Sequence, residues 1–172
     1  LSNRSTGNDG STAGIIIRST GTTTIENNEI VHLDNYNNNT SSNHTASVGG
    51  IVFVNSTSRH FVRNNIIADL NNKHPFFSGS IFGFYITGTA SQQNIVNANF
   101  ISQLKTESTN SNIYGIHAFS GNTLYSNNII VLGKNTNAGI YGFFDTGSES
   151  QTCNLYHNTI YIEGVFDDDF TA

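Results

Sequence analysis

The chain has 172 residues, enough for one domain with a core of its own. It is 36% apolar and 11% charged, against about 45–50% and about 25% in an average soluble domain, and Asn, Ser, Thr and Gly fill the gap. A net charge of −5 argues against a nucleic-acid footprint, the absence of a long apolar run against membrane insertion by a helix, and the single cysteine, Cys153, against an internal disulfide framework.

The first element is a glycine followed by a strand, Gly14-Ile15-Ile16-Ile17. A second strand follows, Ile25-Glu26-Asn27-Asn28-Glu29-Ile30, and then a polar loop from about Asp34 to Val48 that carries an Asn-rich run and His44. The same three parts return as Gly50-Ile51-Val52-Phe53, Val62-Arg63-Asn64-Asn65-Ile66-Ile67 and a loop from Asn71 to Ser80. The third set is Gly83-Phe84-Tyr85-Ile86, Val96-Asn97-Ala98-Asn99-Phe100-Ile101 and Lys105 to Asn112. The fourth is Gly115-Ile116-His117-Ala118, Tyr125-Ser126-Asn127-Asn128-Ile129-Ile130 and the short Gly133 to Asn137. The fifth is read as Gly139-Ile140-Tyr141-Gly142 and Leu155-Tyr156-His157-Asn158-Thr159-Ile160.

The motif is an apolar residue, two variable residues, Asn, one variable residue and an aliphatic, at a period of roughly 30–37 residues. Short β-branched and aromatic segments bounded by Asn, Gly, Ser and Thr read as strands, not helices. Such units are expected to stack as a solenoid with strands about 4.8 Å apart. Ile15, Ile51, Phe84, Ile116 and Ile140 would line one inner wall, and Ile30, Ile67, Ile101, Ile130 and Ile160 another. Asn28, Asn65, Asn99, Asn128 and Asn158 would form an internal ladder, because a carboxamide can donate to one neighbour and accept from the next.

These repeats resemble the right-handed parallel β-helices of the pectin-lyase-like superfamily, over about Gly14 to Glu163. More narrowly, Tyr114-Gly115-Ile116, Asn127-Asn128-Ile129-Ile130 and Tyr156-His157-Asn158-Thr159-Ile160-Tyr161 are similar to repeats of large secreted Bacteroidetes surface proteins. The resemblance implies an all-β, right-handed parallel β-helix of about five coils, and the handedness comes from it alone. The expected organisation is a single β-helix domain over 1–172, a fragment or processed piece of a longer protein whose flanking coils would cover its ends. Much Asn and Thr with little Lys and Cys points to a secreted, cell-surface location.

Three outward rows are candidates for chemistry. Ile16, Val52, Tyr85, His117 and Tyr141 alternate with the inner wall, and the rings of Tyr85, His117 and Tyr141 would suit the apolar face of a sugar. The bland alternative is that they brace the sheet. His32, Asp69, Gln103 and Leu132 follow each Asn strand; His32 beside Asp69 is an acid–base pair or partial metal site at most, and a hydrogen-bonded surface pair by default. Asp34, Asn71, Lys105 and Lys134 stand at the loop mouths as solvated groups. Asp167-Asp168-Asp169 lacks the spacing of a calcium loop, so no metal or other cofactor is assigned. Asn3, Asn38, Asn39, Asn43 and Asn55 begin glycosylation sequons, expected by chance in such a composition.

Superfamily lyases use acidic clusters for Ca²⁺ with an Arg or Lys base, and hydrolases use several Asp on neighbouring coils. Here the acids do not align: one position reads Glu29, Ile66, Phe100, Ile129, Thr159, and Arg18, Arg59 and Arg63 sit beside no acidic cluster. The expectation is a non-catalytic adhesive or carbohydrate-binding surface domain, its partner a glycan or another surface protein. The alternatives are a structural stalk and, next, a polysaccharide-degrading enzyme.

Overall fold

The computed structural model describes residues 2–3, 10–54, 58–134, 136–147 and 151–164. The Asp167–Asp169 run and the sequons that begin at Asn3 and Asn55 extend outside the described residues. A short strand, β1 (Ser2–Asn3), comes first. Coil one then holds β2 (Thr12–Ile17), β3 (Thr23–Glu26) and β4 (Glu29–Asn35), and coil two β5 (Val48–Phe53), β6 (His60–Arg63) and β7 (Ile66–Asn72). Coil three holds β8 (Ser80–Ile86), β9 (Asn94–Asn97) and β10 (Phe100–Thr106), and coil four β11 (Asn112–Ala118), β12 (Thr123–Ser126) and β13 (Ile129–Leu132). Coil five holds β14 (Gly139–Asp145), β15 (Cys153–Tyr156) and β16 (Thr159–Ile162).

Like strands of successive coils pair in parallel, giving three sheets. The glycine sheet runs β2-β5-β8-β11-β14, the short sheet β3-β6-β9-β12-β15, and the loop sheet β1-β4-β7-β10-β13-β16. Five strands in each of the first two sheets make about four turns of a β-solenoid from first strand to last. Each rung places a side chain directly over its counterpart. Ile30, Ile67, Ile101, Ile130 and Ile160 stack as the pattern predicts, and Ile25, Val62, Val96, Tyr125 and Leu155 stack beside them.

The Asn ladder is complete. Each Nδ2 of Asn28, Asn65, Asn99 and Asn128 donates to the Oδ1 of the next ladder residue at 2.9 Å. The backbone N–H of the same four residues donates to that Oδ1 at 3.0–3.1 Å. The second Nδ2 hydrogen reaches back to a main-chain carbonyl: Asn65 to Ile25, Asn99 to Val62, Asn128 to Val96 and Asn158 to Tyr125. In every coil the residue before the ladder Asn is left-handed (Asn27, Asn64, Ala98, Asn127 and His157, φ 53° to 59°), which makes the corner between the short and loop sheets.

The expected inner wall needs one correction. Ile15, Ile51, Phe84 and Ile116 are joined by Phe143, while Ile140 pairs with Ile113. The fifth repeat glycine is therefore Gly142, not Gly139. The reason is steric. A Cβ on Gly14, Gly50, Gly83, Gly115 or Gly142 would lie 2.3–2.7 Å from Cγ2 of Ile30, Ile67, Ile101, Ile130 or Ile160. At Gly83 it would also lie 2.5 Å from the Gly115 carbonyl oxygen, which is backbone and cannot step aside. A Cβ on Gly139 would meet only the end of the Asn112 side chain as a close contact. Gly83→Ala is therefore expected to cost about 3 kcal/mol, and Gly139→Ala under about 1 kcal/mol. Urea unfolding of the two variants measures both, and equal losses would contradict this register.

Candidate functional site

The outer face of the glycine sheet holds a cluster of contacting rings. Each repeat glycine breaks the strand alternation, so the residue before it and the second residue after it both point outwards. Two rows result. One is Phe82, Tyr114 and Tyr141; the other is Val52, Tyr85, His117 and Phe144. Tyr141 thus belongs beside Tyr114, where the rings stack at 4.9 Å and 12°, and Phe144 takes the place expected for Tyr141 in the Tyr85–His117 row. An aromatic residue directly before the glycine, as in Phe82-Gly83, Tyr114-Gly115 and Tyr141-Gly142, was the available cue for both the missed row and the fifth register.

The rings form one continuous layer. Phe82 contacts Tyr85, Tyr114 and His117 at centroid distances of 5.2–5.4 Å, and Tyr85 stacks on Phe119 at 5.5 Å. The first loop closes over the N-terminal half of the layer. Its Ala46 packs into the cluster with Val52, Phe82, Tyr85 and Tyr114, and His44 meets Tyr85 edge-on at 6.3 Å. Tyr85 is consequently buried at 2% exposure, and His117, packed among Phe82, Tyr85, Tyr114 and Phe144, at 6%, while Tyr141 keeps 40% and Phe119 46%. Burial pushes the Tyr85 hydroxyl up to about 12 and the His117 imidazole down to about 4, the latter opposed by the Asp145 carboxylate. The His117 Nε2 lies 2.9 Å from the Thr146 hydroxyl.

The Asn-rich loop that makes this lid is a packed structure. Asn35 Nδ2 donates to the carbonyls of Gly10 and Ser47, and its Oδ1 accepts from the Asn37 backbone N–H. Asn72 and Thr106, in register with Asn35, open the second and third loops the same way, accepting from the N–H of His74 and Ser108. Asn39 holds the far side through the Thr45 carbonyl. This second polar row was invisible in the sequence because Asn is common throughout the chain.

On the loop sheet, His32, Asp69 and Gln103 share one position, and all three take a left-handed φ of 54° to 58°. They form a bulge that turns their side chains outwards. His32 Nδ1 lies 2.6 Å from Asp69 Oδ2, and Lys105 Nζ lies 3.2 Å from Asp69 Oδ1, so Asp69 ties coil one to coil three. The His32 hydrogen bond, against some burial and with help from Lys105, holds the Asp69 carboxyl below the usual carboxylate range. The His32 side chain is 77% exposed, so this is a surface pair in form. Leu132, which follows the Asn strand of coil four, is core: coil four lacks the bulge, and Leu132 is buried in the same cluster as Leu33, Leu70 and Leu104. At the loop mouths Asp34 pairs with Lys73 at 2.7 Å, and Lys105 turns to Asp69 rather than opposing Lys134.

His60 was not anticipated. It is fully buried at the start of β6, with its ring 4.2 Å from that of Phe53. Burial lowers its pKa to about 4, partly offset by the Thr87 backbone. Cys153 is half-buried; burial and the Asp145 carboxylate push its thiol up to about 12, so it is not an activated nucleophile. Among the described residues, no group of three or more His, Cys, Asp or Glu side chains is placed to hold a metal ion. No family model, curated protein or solved structure matches the chain.

Proposed function

We propose that this chain is a non-catalytic structural segment of a secreted surface protein, a β-solenoid that carries and spaces other parts. The observation that carries this reading is the closure of the outer face. Tyr85 lies under Ala46 and His44, and His117 is buried among Phe82, Tyr85, Tyr114 and Phe144, so the rings best aligned for recognition brace the sheet instead. The ladder and the loop-opening Asn residues likewise spend their polar groups on the chain itself. Composition supports the secreted, cell-surface placement.

A second reading is a narrower carbohydrate-binding site on the same face. It is favoured by Tyr141 and Phe119, which remain 40% and 46% exposed beside the half-buried Phe144. Exposed rings of this kind can stack on the apolar face of a sugar. A glycan array probed with the folded chain and with Tyr141→Ala/Phe119→Ala separates the two. The structural reading expects no binding by either. Binding by the unaltered chain that disappears in the variant would replace it with the second reading.

A further inference from the structure

The corner between the glycine sheet and the short sheet changes in the last two coils. In coil four, residues 119–122 join β11 to β12; in coil five the longer segment 146–152 joins β14 to β15. The last position of the glycine strand reads Ile86, Ala118 and Asp145 in register from coil three to coil five. An alanine where the coil before has an isoleucine leaves volume unfilled. A chamber lies there, walled by Ala118, Thr123 and Tyr125 of coil four and by Asp145, Gln151 and Cys153 of coil five. The space open to the centre of a water molecule is about 20 Å³, and one water needs roughly 10–15 Å³.

Two polar atoms in its wall are shut off from solvent without a match. Tyr125 is 1% exposed, and its hydroxyl makes no hydrogen bond of good geometry, although the Thr123 hydroxyl beside it eases the burial. The Oε1 of Gln151 is buried and also lacks a partner. Unmet polar groups in such places are costly and rare.

The two groups ask for different things. Oε1 can only accept, and the Tyr125 O–H has a proton to donate. A metal cation would leave that proton unpaired, and an ammonium ion offers donors alone. Water donates and accepts at once. The carboxylate of Asp145 supplies a further acceptor: its Oδ1 takes the Gly147 N–H at 2.8 Å and has lone pairs to spare. A Cβ on Gly147 would lie 3.0 Å from both Asp145 Oδ1 and Gln151 Oε1, so these oxygens face one point that the glycine leaves clear. Little charge calls for a cation. Asp145 is exposed to solvent, and Cys153 stays a neutral thiol, pushed up to about 12 by burial and by that carboxylate.

We propose that this chamber is a binding site for one structural water, which accepts from the Tyr125 hydroxyl and donates to Gln151 Oε1 and the Asp145 carboxylate. Three hydrogen bonds are the usual number for a buried water. The water ties the long turn of coil five to β12 beneath it. The site does not depend on the structural or glycan reading, which concern the outer face.

The test is a crystal structure of the chain that shows ordered water, together with thermal melting of Tyr125→Phe. The expected structure holds one water within hydrogen-bond distance of the Tyr125 hydroxyl, Gln151 Oε1 and an Asp145 oxygen. Melting reads the same question independently, because its sign depends on the water. With the water in place, loss of the hydroxyl breaks a bond and lowers Tm by roughly 2–4 °C. In a dry chamber the variant removes an unmet group and raises Tm. Phenylalanine keeps the ring and its packing, so the variant is expected to fold, which circular dichroism checks. A chamber that is dry, or filled by an ion or a side chain, overturns the proposal. So does a folded Tyr125→Phe chain that melts no lower than the unaltered one.

Discussion

Asn99→Asp is expected to destabilise the solenoid by about 4 kcal/mol at neutral pH, a large part of the roughly 5–15 kcal/mol available to a domain. Asn99 is the middle of the ladder. Its Oδ1 accepts from Asn65, which a carboxylate can still do. Its Nδ2 donates to the Val62 carbonyl at 3.0 Å and to Asn128 Oδ1 at 2.9 Å. The substitution replaces that donor with a charged acceptor facing two acceptors, in a place with almost no access to water. The variant's carboxyl then has a folded pKa above its unfolded value of about 3.9. The folded state holds the extra proton, so the variant is least impaired below about pH 4 and loses stability as pH rises. Denaturant unfolding of the variant and the unaltered chain at several pH values reads this directly. A pH-independent loss would mean that the ladder is open to water.

Acid is expected to unfold the unaltered chain through two histidines. His60 and His117 are held near pKa 4 against 6.5 in the unfolded chain. Both are almost fully buried, His60 against Phe53 and His117 among Phe82, Tyr85, Tyr114 and Phe144. Between those values the unfolded state binds protons that the folded state refuses. Their contribution is complete above about pH 6.5, declines as pH falls, and is lost by about pH 4. Each histidine accounts for about 3 kcal/mol, so together they rival the stability of the domain. Unfolding free energy measured from pH 7 to pH 4 should fall with a slope approaching two protons. His60→Phe and His117→Phe should each remove about one. A flat profile over this range would falsify the assignment.

The fold was legible because one physical demand recurs at one place. The left-handed corner and the carboxamide after it leave a motif that survives every other change, from Glu26-Asn27-Asn28-Glu29 to Tyr156-His157-Asn158-Thr159. The fifth glycine misled because two glycines, Gly139 and Gly142, are each followed by an apolar residue; the aromatic residue before Gly142 is a cue shared by only three of the five coils, and the contact with Ile160 that decides between them is tertiary. The candidate rings were rightly placed outside the core, but the burial of Tyr85 depends on the path of the first loop. That path is set by Asn35 and Asn39, which both reach the Gly10 carbonyl and are indistinguishable from their neighbours in an Asn-rich run. His60 escaped notice for a related reason. Its position reads Thr23, His60, Asn94, Thr123 and Cys153 down the stack, with no constant residue type to mark it.

The tapering of the loops bears on the order in which the coils form. Ladder neighbours lie 37, 34, 29 and 30 residues apart. Chain-closure entropy varies with the logarithm of that length, so the longest and shortest coils differ by only about 0.2 kcal/mol. The taper therefore gives no coil a head start. What differs between coils is the side chains they bring together, and the largest buried rings run from Phe53 and Phe77 in coil two through Phe82, Phe84 and Tyr85 in coil three to Tyr125 in coil four. Assembly is expected to begin among these three central coils and to spread one coil at a time in both directions, each arrival meeting a template already formed.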